Sequence, residues 1–179
     1  MNPTRTKGTP MSSDAFYDLM GSANSALLVV TTAVDDVQAG CMVGYHAQAS
    51  MSPQHYTFYL SKANHTYRVG LLATHFAVHF LTEHDYDMAK HFACTSGADT
   101  DKFADLAVET GDHGLPFVVA LPNRMVVERI SILDDGGDHV CVTTKVVSAE
   151  SDGHFTPLRL TDVSDLKPAH GADERIIQP

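Results

Sequence analysis

The sequence lacks tryptophan and is poor in cysteine, with three cysteines in 179 residues. Cys41, Cys94 and Cys141 are widely spaced and form no C-x-x-C pair, which predicts free thiols in a reducing compartment and neither a disulfide framework nor a zinc site. No apolar run approaches the roughly 18 residues that cross a bilayer. The N-terminal residues contain no apolar segment typical of a signal peptide. We therefore expect a cytoplasmic protein without a membrane anchor.

Basic residues are also scarce, with 12 Lys and Arg against 22 Asp and Glu and a net charge of −10. A nucleic-acid-binding protein needs a basic face to neutralise phosphates, and no Lys/Arg cluster is present, so we expect no nucleic-acid partner. Hydrophobic residues make up 44% of the chain and charged residues 19%. This balance, at this length, predicts one globular domain with a substantial core.

Several motifs of enzyme sites are missing. The sequence has no G-x-S-x-G nucleophile elbow, no H-E-x-x-H zinc motif and no G-x-G-x-x-G dinucleotide loop. The 11 histidines do not produce an obvious metal site either. His75 and His79 lie on a predicted strand, where a spacing of four residues separates them by about 13 Å at about 3.3 Å per residue. We expect no metal.

Hydrophobic periodicity predicts more strands than helices. We expect strands at residues 26–34, 38–50, 56–60, 75–81, 117–120, 125–133 and 138–149. We expect helices at residues 12–21, 64–72, 83–92 and 102–110. Long antiparallel strands with few crossover helices favour a mainly β fold, a closed barrel with inserted helices and Greek-key-like connections, over a doubly wound sheet.

Composition divides the chain into three parts. Residues 1–11 are rich in Pro, Thr and Gly and predict a flexible N-terminal arm. Residues 12–150 hold the predicted barrel domain. Residues 151–179 are polar and irregular, and we expect this C-terminal extension to pack on the barrel or on a partner subunit.

The most informative segment extends from residue 40 to residue 66. A strand, a small-residue loop and a Ser-x-x-Pro turn (GCMVGYHAQASMSPQ) lead into a second strand (HYTFYLS) and a polar cluster (KANHT) that opens a helix. This order brings backbone N–H groups, hydroxyls and one cation together, as a flavin phosphate and ring edge require.

The chain resembles the flavin reductase-like family, whose fold is an FMN-binding split β-barrel, over about residues 23–148. The resemblance rests on six segments in the same order, which are residues 40–54, 61–66, 74–81, 89–92, 102–103 and 137–139. It implies FMN, or less often FAD, bound at the interface of a homodimer. It further implies reduction of that flavin by NADH or NADPH, and transfer of the reduced flavin to a flavin-dependent monooxygenase partner.

The resemblance implies a first set of flavin-binding residues along the ring edge and the ribityl chain. These are Met42, Val43, Gly44, Tyr45, Gln48, Ala49 and Ser50. An alternative interpretation is that residues 42–45 only complete a barrel strand and that Ser50 only caps the turn into Pro53.

A second set, Lys62, Asn64, His65 and Thr66, is expected at the flavin phosphate. Free N–H groups at a helix start attract an anion, and Lys62 adds a formal positive charge. The alternative is an Asn64 N-cap beside a solvated lysine.

The element Gly137, Asp138 and His139 begins the last long strand and, by the resemblance, binds nicotinamide. His139 is the candidate catalytic residue, since its imidazole can reach the nicotinamide or the flavin edge. The alternative is a hairpin turn with an incidental histidine.

The sequence departs from the family pattern at Gly44, Tyr45, Gln54 and His65, where small hydroxyl residues, proline, and serine or arginine are more common. Two other hypotheses therefore stay open. One is a split barrel that binds flavin, deazaflavin or haem with little reductase activity. The other is an interaction subunit with an empty barrel.

Overall fold

The structure, a computed structural model, describes residues 13–98, 100–167 and 169. The predicted arm at residues 1–11 lies outside the described residues. The helices are α1 (Ser13–Ala23), α2 (His65–Gly70) and α3 (Tyr86–Cys94), with 3-10 turns at Asp112–Gly114 and Leu160–Val163. The strands are β1 (Leu28–Val34), β2 (Val37–Val43), β3 (His46–Met51), β4 (Gln54–Ser61), β5 (His75–Phe80), β6 (Val108–Thr110), β7 (Pro116–Val118), β8 (Arg124–Leu133) and β9 (His139–Glu150). In the described parts of the chain, no helix is long and apolar enough to cross a membrane.

Seven strands form one antiparallel sheet in the order β2-β1-β5-β8-β9-β4-β3. Its two edge strands, β2 and β3, follow each other directly in the chain and are joined only by Gly44 and Tyr45. The chain thus passes from one edge of the curled sheet to the other within two residues. The backbone N–H of Tyr59 donates to the Tyr45 carbonyl at 3.0 Å and holds this corner against β4. The mainly β fold is confirmed.

The expectation of a closed barrel is wrong in one respect. Among the described residues, β2 pairs only with β1 and β3 pairs only with β4, so no ladder joins the two edges. The predicted strand 38–50 is accordingly two strands that separate at Gly44. The sheet stays open along this line, as a split barrel does.

Strand β1 shows why the sheet has an apolar layer on both sides. Leu28 and Val30 point into the barrel, whereas Leu27 and Val29 point outward, as the two-residue period of a strand requires. All four are completely buried. The inner core also contains Val43, Phe58, Phe76, Val127 and Val142. Full burial of each such side chain contributes about 1.5–3 kcal/mol to folding.

Helix α3 and the segment after β9 cover the outer face of β1. Phe92 of α3 packs there with Leu121 and Leu158. Backbone hydrogen bonds fix the segment in place, since the Leu27 N–H donates to the Leu158 carbonyl at 2.8 Å and the Leu158 N–H donates to the Leu81 carbonyl at 3.0 Å. This outer cluster places the end of α3 beside β2, where the candidate site lies.

Two helix predictions differ from the structure. Residues 102–110, predicted as a helix, form turns and the short strand β6, because Lys102 and Phe103 both turn inward and are buried. Helix α3 begins at Tyr86 and not at residue 83. The N–H and the hydroxyl of Thr82 both donate to the Asp85 carboxylate at 2.7 Å, which forms a turn immediately before the helix.

His79 is a completely buried core residue on β5. Its Nδ1–H donates to the Leu121 carbonyl at 3.1 Å. Burial, reinforced by the positive charge of Arg124, lowers the pKa of His79 to about 4. The folded protein therefore holds this imidazole neutral at a pH where the unfolded chain binds a proton.

We expect His79 to make the fold sensitive to acid. Below a pH of about 6.5 the unfolded state binds a proton at His79 that the folded state does not bind. The free energy of unfolding therefore falls as the pH decreases toward about 4. At pH 5 the loss relative to pH 7 is about 2 kcal/mol at 1.4 kcal/mol per pKa unit. Urea unfolding at both pH values, with wild type and His79→Asn, measures it. Other histidines contribute to the pH dependence of both proteins, so the difference between the two isolates His79. An equal pH dependence in the two proteins would contradict this expectation.

Candidate functional site

A cleft of about 210 Å³ lies beside the outer edge of β2. Cys41, Met42, Val43 and Gly44 form its floor. Tyr59, Ser61, Ala63 and Asn64, at and after the end of β4, form one wall, and Phe92, Ala93 and Leu160 form the other. Tyr45 and His139 stand at its mouth.

The floor of the cleft is the edge of a sheet. Within the described residues β2 pairs with β1 on one side only, so its other edge borders the cleft. An edge strand presents alternating backbone N–H and C=O groups that lack ladder partners. A planar heterocycle with donors and acceptors along one side can pair with such an edge.

The structure brings together the predicted ring-edge residues Met42, Val43, Gly44 and Tyr45, since all four line the cleft. Gly44 packs closely against the segment after β9, since a Cβ atom there would lie 3.0 Å from Cδ2 of Leu160, and this leucine would have to shift to accommodate it. Tyr45 is 57% exposed, and its ring centroid lies 5.2 Å from that of His139.

His139 also lines the cleft, at the first residue of β9. Its Nδ1 lies 2.8 Å from the Asp138 carboxylate, and this contact orients the ring. Gly137 and Asp138 do not line the cleft; they form the turn before β9. The Lys62 N–H donates to the Asp138 carbonyl at 3.0 Å, so this turn is tied to the end of β4.

The structure does not bring Gln48, Ala49 and Ser50 to the cleft. They lie on β3, beyond the Gly44–Tyr45 corner, and a register shift occurs between Gln48 and Ser50 in the ladder with β4. Gln48 and Ala49 are exposed. In a single subunit these residues form part of an open sheet edge.

The four residues predicted to bind the flavin phosphate do not line the same cleft. Asn64 lines the cleft and Thr66 is buried behind it. His65 lines a second cleft, of about 380 Å³. Lys62 lines neither cleft, because its ammonium forms an ion pair with Asp134 at 2.7 Å. The hydrogen bond from Lys62 also lowers the pKa of the Asp134 carboxyl.

Two buried residues, Cys41 and Lys102, were not predicted for the site. Burial raises the pKa of the Cys41 thiol, although the nearby Lys102 ammonium and hydrogen bonds from Thr66 and Asn64 oppose it. Lys102 donates to the backbone carbonyls of Gly40 at 3.0 Å and Phe92 at 2.9 Å. The only signal for Lys102 in the sequence is its place in the Lys-Phe segment of the family resemblance.

Tyr59 is a further residue that sequence reasoning missed. It is 39% exposed in the wall of the cleft, and a hydrogen bond with Cys141 on the neighbouring strand β9 raises the pKa of its phenol. Strand alternation places Tyr59 on the outer face, but the sequence contains no sign that this part of the face borders a cleft.

The cleft suits the binding of a flavin ring better than protein-based chemistry. The floor offers backbone groups, Phe92 and Leu160 offer apolar surface, and Tyr45 and Tyr59 offer aromatic contacts. Among the described residues no group of His, Cys, Asp and Glu is placed to hold a metal ion. The cleft volume of about 210 Å³ lies below the roughly 300–1,000 Å³ that is typical of complete ligand pockets.

Comparison with known proteins identifies the family. A profile of the flavin reductase like domain matches residues 20–163. The chain is 29% identical over 164 residues to the reductase component of 4-nitrophenol 4-monooxygenase/4-nitrocatechol 2-monooxygenase from Rhodococcus opacus, covering 84% of this chain and 85% of that protein. It is 27% identical over 137 residues to the FMN reductase (NADH) SmoA from Agrobacterium fabrum, covering 76% of each.

Solved structures share the fold. A flavin reductase domain protein from Arthrobacter superposes with a TM-score of 0.75 at 18% identity, covering 84% of this chain and 92% of that one. Flavin reductase HpaC complexed with NADP+ superposes with a TM-score of 0.72 at 18% identity, covering 84% and 94%. The profile covers most of the chain, and the protein therefore belongs to the flavin reductase like domain family of flavin-binding oxidoreductases.

Proposed function

We propose that the protein uses NADH or NADPH to reduce FMN in the cleft beside β2, and that the reduced flavin serves a monooxygenase. The observation that carries the proposal is that β2 forms a ladder on one side only within the described residues, and that its other side borders a cleft lined by Met42, Val43, Gly44, Tyr45 and His139. When bound, the flavin supplies the redox chemistry itself by accepting a hydride from the nicotinamide.

The protein's part is to bind and orient. The backbone of Met42 to Gly44 would hold the flavin ring, and Tyr45 would pack against it. His139, which the Asp138 carboxylate orients, would bind the nicotinamide. No nucleophile is needed, which agrees with the lack of nucleophile motifs in the sequence.

The proposal of an oxygenase partner rests on the relatives. The Rhodococcus opacus relative is a reductase component of a monooxygenase, and so is a relative from Acinetobacter baylyi that acts with a trigonelline monooxygenase. All three cysteines are free thiols, which supports a reducing compartment, so we place this function in the cytoplasm.

A second copy of the chain completes the site in this proposal. Strands β8 and β9 carry exposed apolar side chains, including Ile130 at 52%, Leu133 at 63% and Val147 at 49%. Leu133 lies beside Cys141, which lies beside Tyr59 of the cleft wall. A partner subunit on these strands would bury these residues and enclose the flavin.

The first test is a titration of purified protein with FMN, followed by flavin fluorescence. We expect saturable binding with a Kd in the micromolar range, about −8 kcal/mol. Addition of NADH or NADPH should then give flavin-dependent oxidation measured at 340 nm. A protein that binds neither FMN nor FAD would refute the flavin site, and binding without oxidation of either nicotinamide would refute reductase activity.

His139→Ala should reduce kcat/KM for the nicotinamide at least tenfold, about 1.4 kcal/mol of lost stabilisation, and leave the Kd of FMN within threefold. The reason is that His139 contacts the mouth of the cleft and not its floor. Steady-state kinetics and fluorescence titration measure the two quantities. His84→Ala, which removes an exposed histidine outside the cleft, is the matched control and should change neither. A larger loss in FMN affinity than in turnover would assign His139 to flavin binding.

Leu133→Asp should convert a dimer into a monomer and weaken FMN binding together with it, because a carboxylate would be buried in the interface. Light scattering and fluorescence titration provide the measurements. The control is Asp36→Asn, which lies in the turn between β1 and β2. This change is expected to leave the dimer intact. A wild-type monomer that binds FMN tightly would show that one subunit suffices.

A further inference from the structure

The two clefts share a wall, and this wall contains a buried cation. Residues that are adjacent in the chain line different clefts. Gly40, His65 and Lys102 line the larger cleft, and Cys41, Asn64 and Phe92 line the smaller one. Because the Lys102 ammonium donates to the carbonyl of Phe92, which lines the smaller cleft, this cation lies next to both clefts.

Lys102 is a costly residue to bury. It is only 7% exposed, and its ammonium donates to two neutral acceptors, the carbonyls of Gly40 and Phe92. The ring centroid of Phe92 lies 5.8 Å from the ammonium. Among the described residues Lys102 has no carboxylate ion-pair partner, and the adjacent Asp101 accepts the backbone N–H of Phe103 at 2.9 Å.

A buried ammonium without an anion is destabilised relative to water, since carbonyl dipoles replace only part of its hydration. Burial accordingly lowers the pKa of Lys102. An anion that binds at the wall would recover part of this energy, because attraction between charges is stronger where water is excluded.

Lys62, in contrast to Lys102, has an anionic partner. Its charge is already matched by Asp134 at 2.7 Å, and it lies outside both clefts. The two lysines thus have different electrostatic roles, although both stand in segments that resemble the family.

We propose that Lys102, and not Lys62, supplies the positive charge that selects a phosphorylated flavin at the wall between the two clefts. This inference rests on the proposed function, because it takes the flavin ring to occupy the smaller cleft. It assigns the terminal phosphate of FMN, or the diphosphate of FAD, to the neighbourhood of Lys102, Asn64 and His65. Riboflavin, which has the same ring without a phosphate, gains nothing from this charge.

The test compares FMN and riboflavin binding to wild type, Lys102→Met and Lys62→Met by fluorescence titration at constant ionic strength. The two variants lose the same formal charge, so they control for the net charge of the protein. We expect Lys102→Met to lower FMN affinity at least tenfold and riboflavin affinity less than threefold. Lys62→Met should leave the ratio of the two affinities within twofold of wild type.

Because Lys102 is buried, Lys102→Gln serves as a second variant that keeps hydrogen-bond donors and removes the charge. Thermal unfolding of each apoprotein establishes that the variants fold. Equal losses of FMN and riboflavin affinity in both Lys102 variants would assign Lys102 to structure alone and overturn the proposal. A wild-type protein that binds FMN and riboflavin equally would also overturn it, whereas one that binds neither would refute the flavin site itself.

Discussion

The architecture depends on the corner at Gly44 and Tyr45, where the chain passes from one edge of the sheet to the other. Because β2 and β3 are edges of the same sheet and consecutive in the chain, the sheet must curl until the edges approach each other. Among the described residues no ladder joins β2 to β3, so the sheet is not closed there. The edge of β2 that lacks a second ladder borders the cleft, which residues 41–45 line.

The edge of β2 has no second strand paired with it among the described residues, whereas the outer face of β1 is covered. Sheet edges with exposed backbone groups tend to pair with other chains. Here Phe92 of α3, Leu160 and Ala63 after β4 line the cleft beside the edge of β2. The packing that covers the outer face of β1 therefore also forms part of the cleft.

Electrostatics adds a second constraint. A protein with a net charge of −10 repels phosphate-bearing ligands at long range, beyond what salt screens. Selection of an anion must therefore come from local charge in a site with little water. The ion pair of Lys62 with Asp134 satisfies that lysine within the hairpin between β8 and β9, whereas Lys102 meets only carbonyl groups. The two lysines therefore differ in the free energy of their charged forms, because Lys102 is more deeply buried and has no carboxylate beside it among the described residues.

The sequence by itself determined the strand-rich fold, the family, and the segments that line the cleft. Strand alternation and the ordered motifs are local, and so Met42 to Tyr45, Asn64 and His139 could be recognised without a structure. It did not determine that Lys102 is buried whereas Lys62 pairs with Asp134, that Gln48 to Ser50 lie beyond the corner, or that residues 102–110 are not helical. Only the tertiary structure decided these points, because they depend on contacts between residues far apart in the chain. Lys102 turns inward to Gly40, and Lys62 reaches Asp134, only once the strands are assembled.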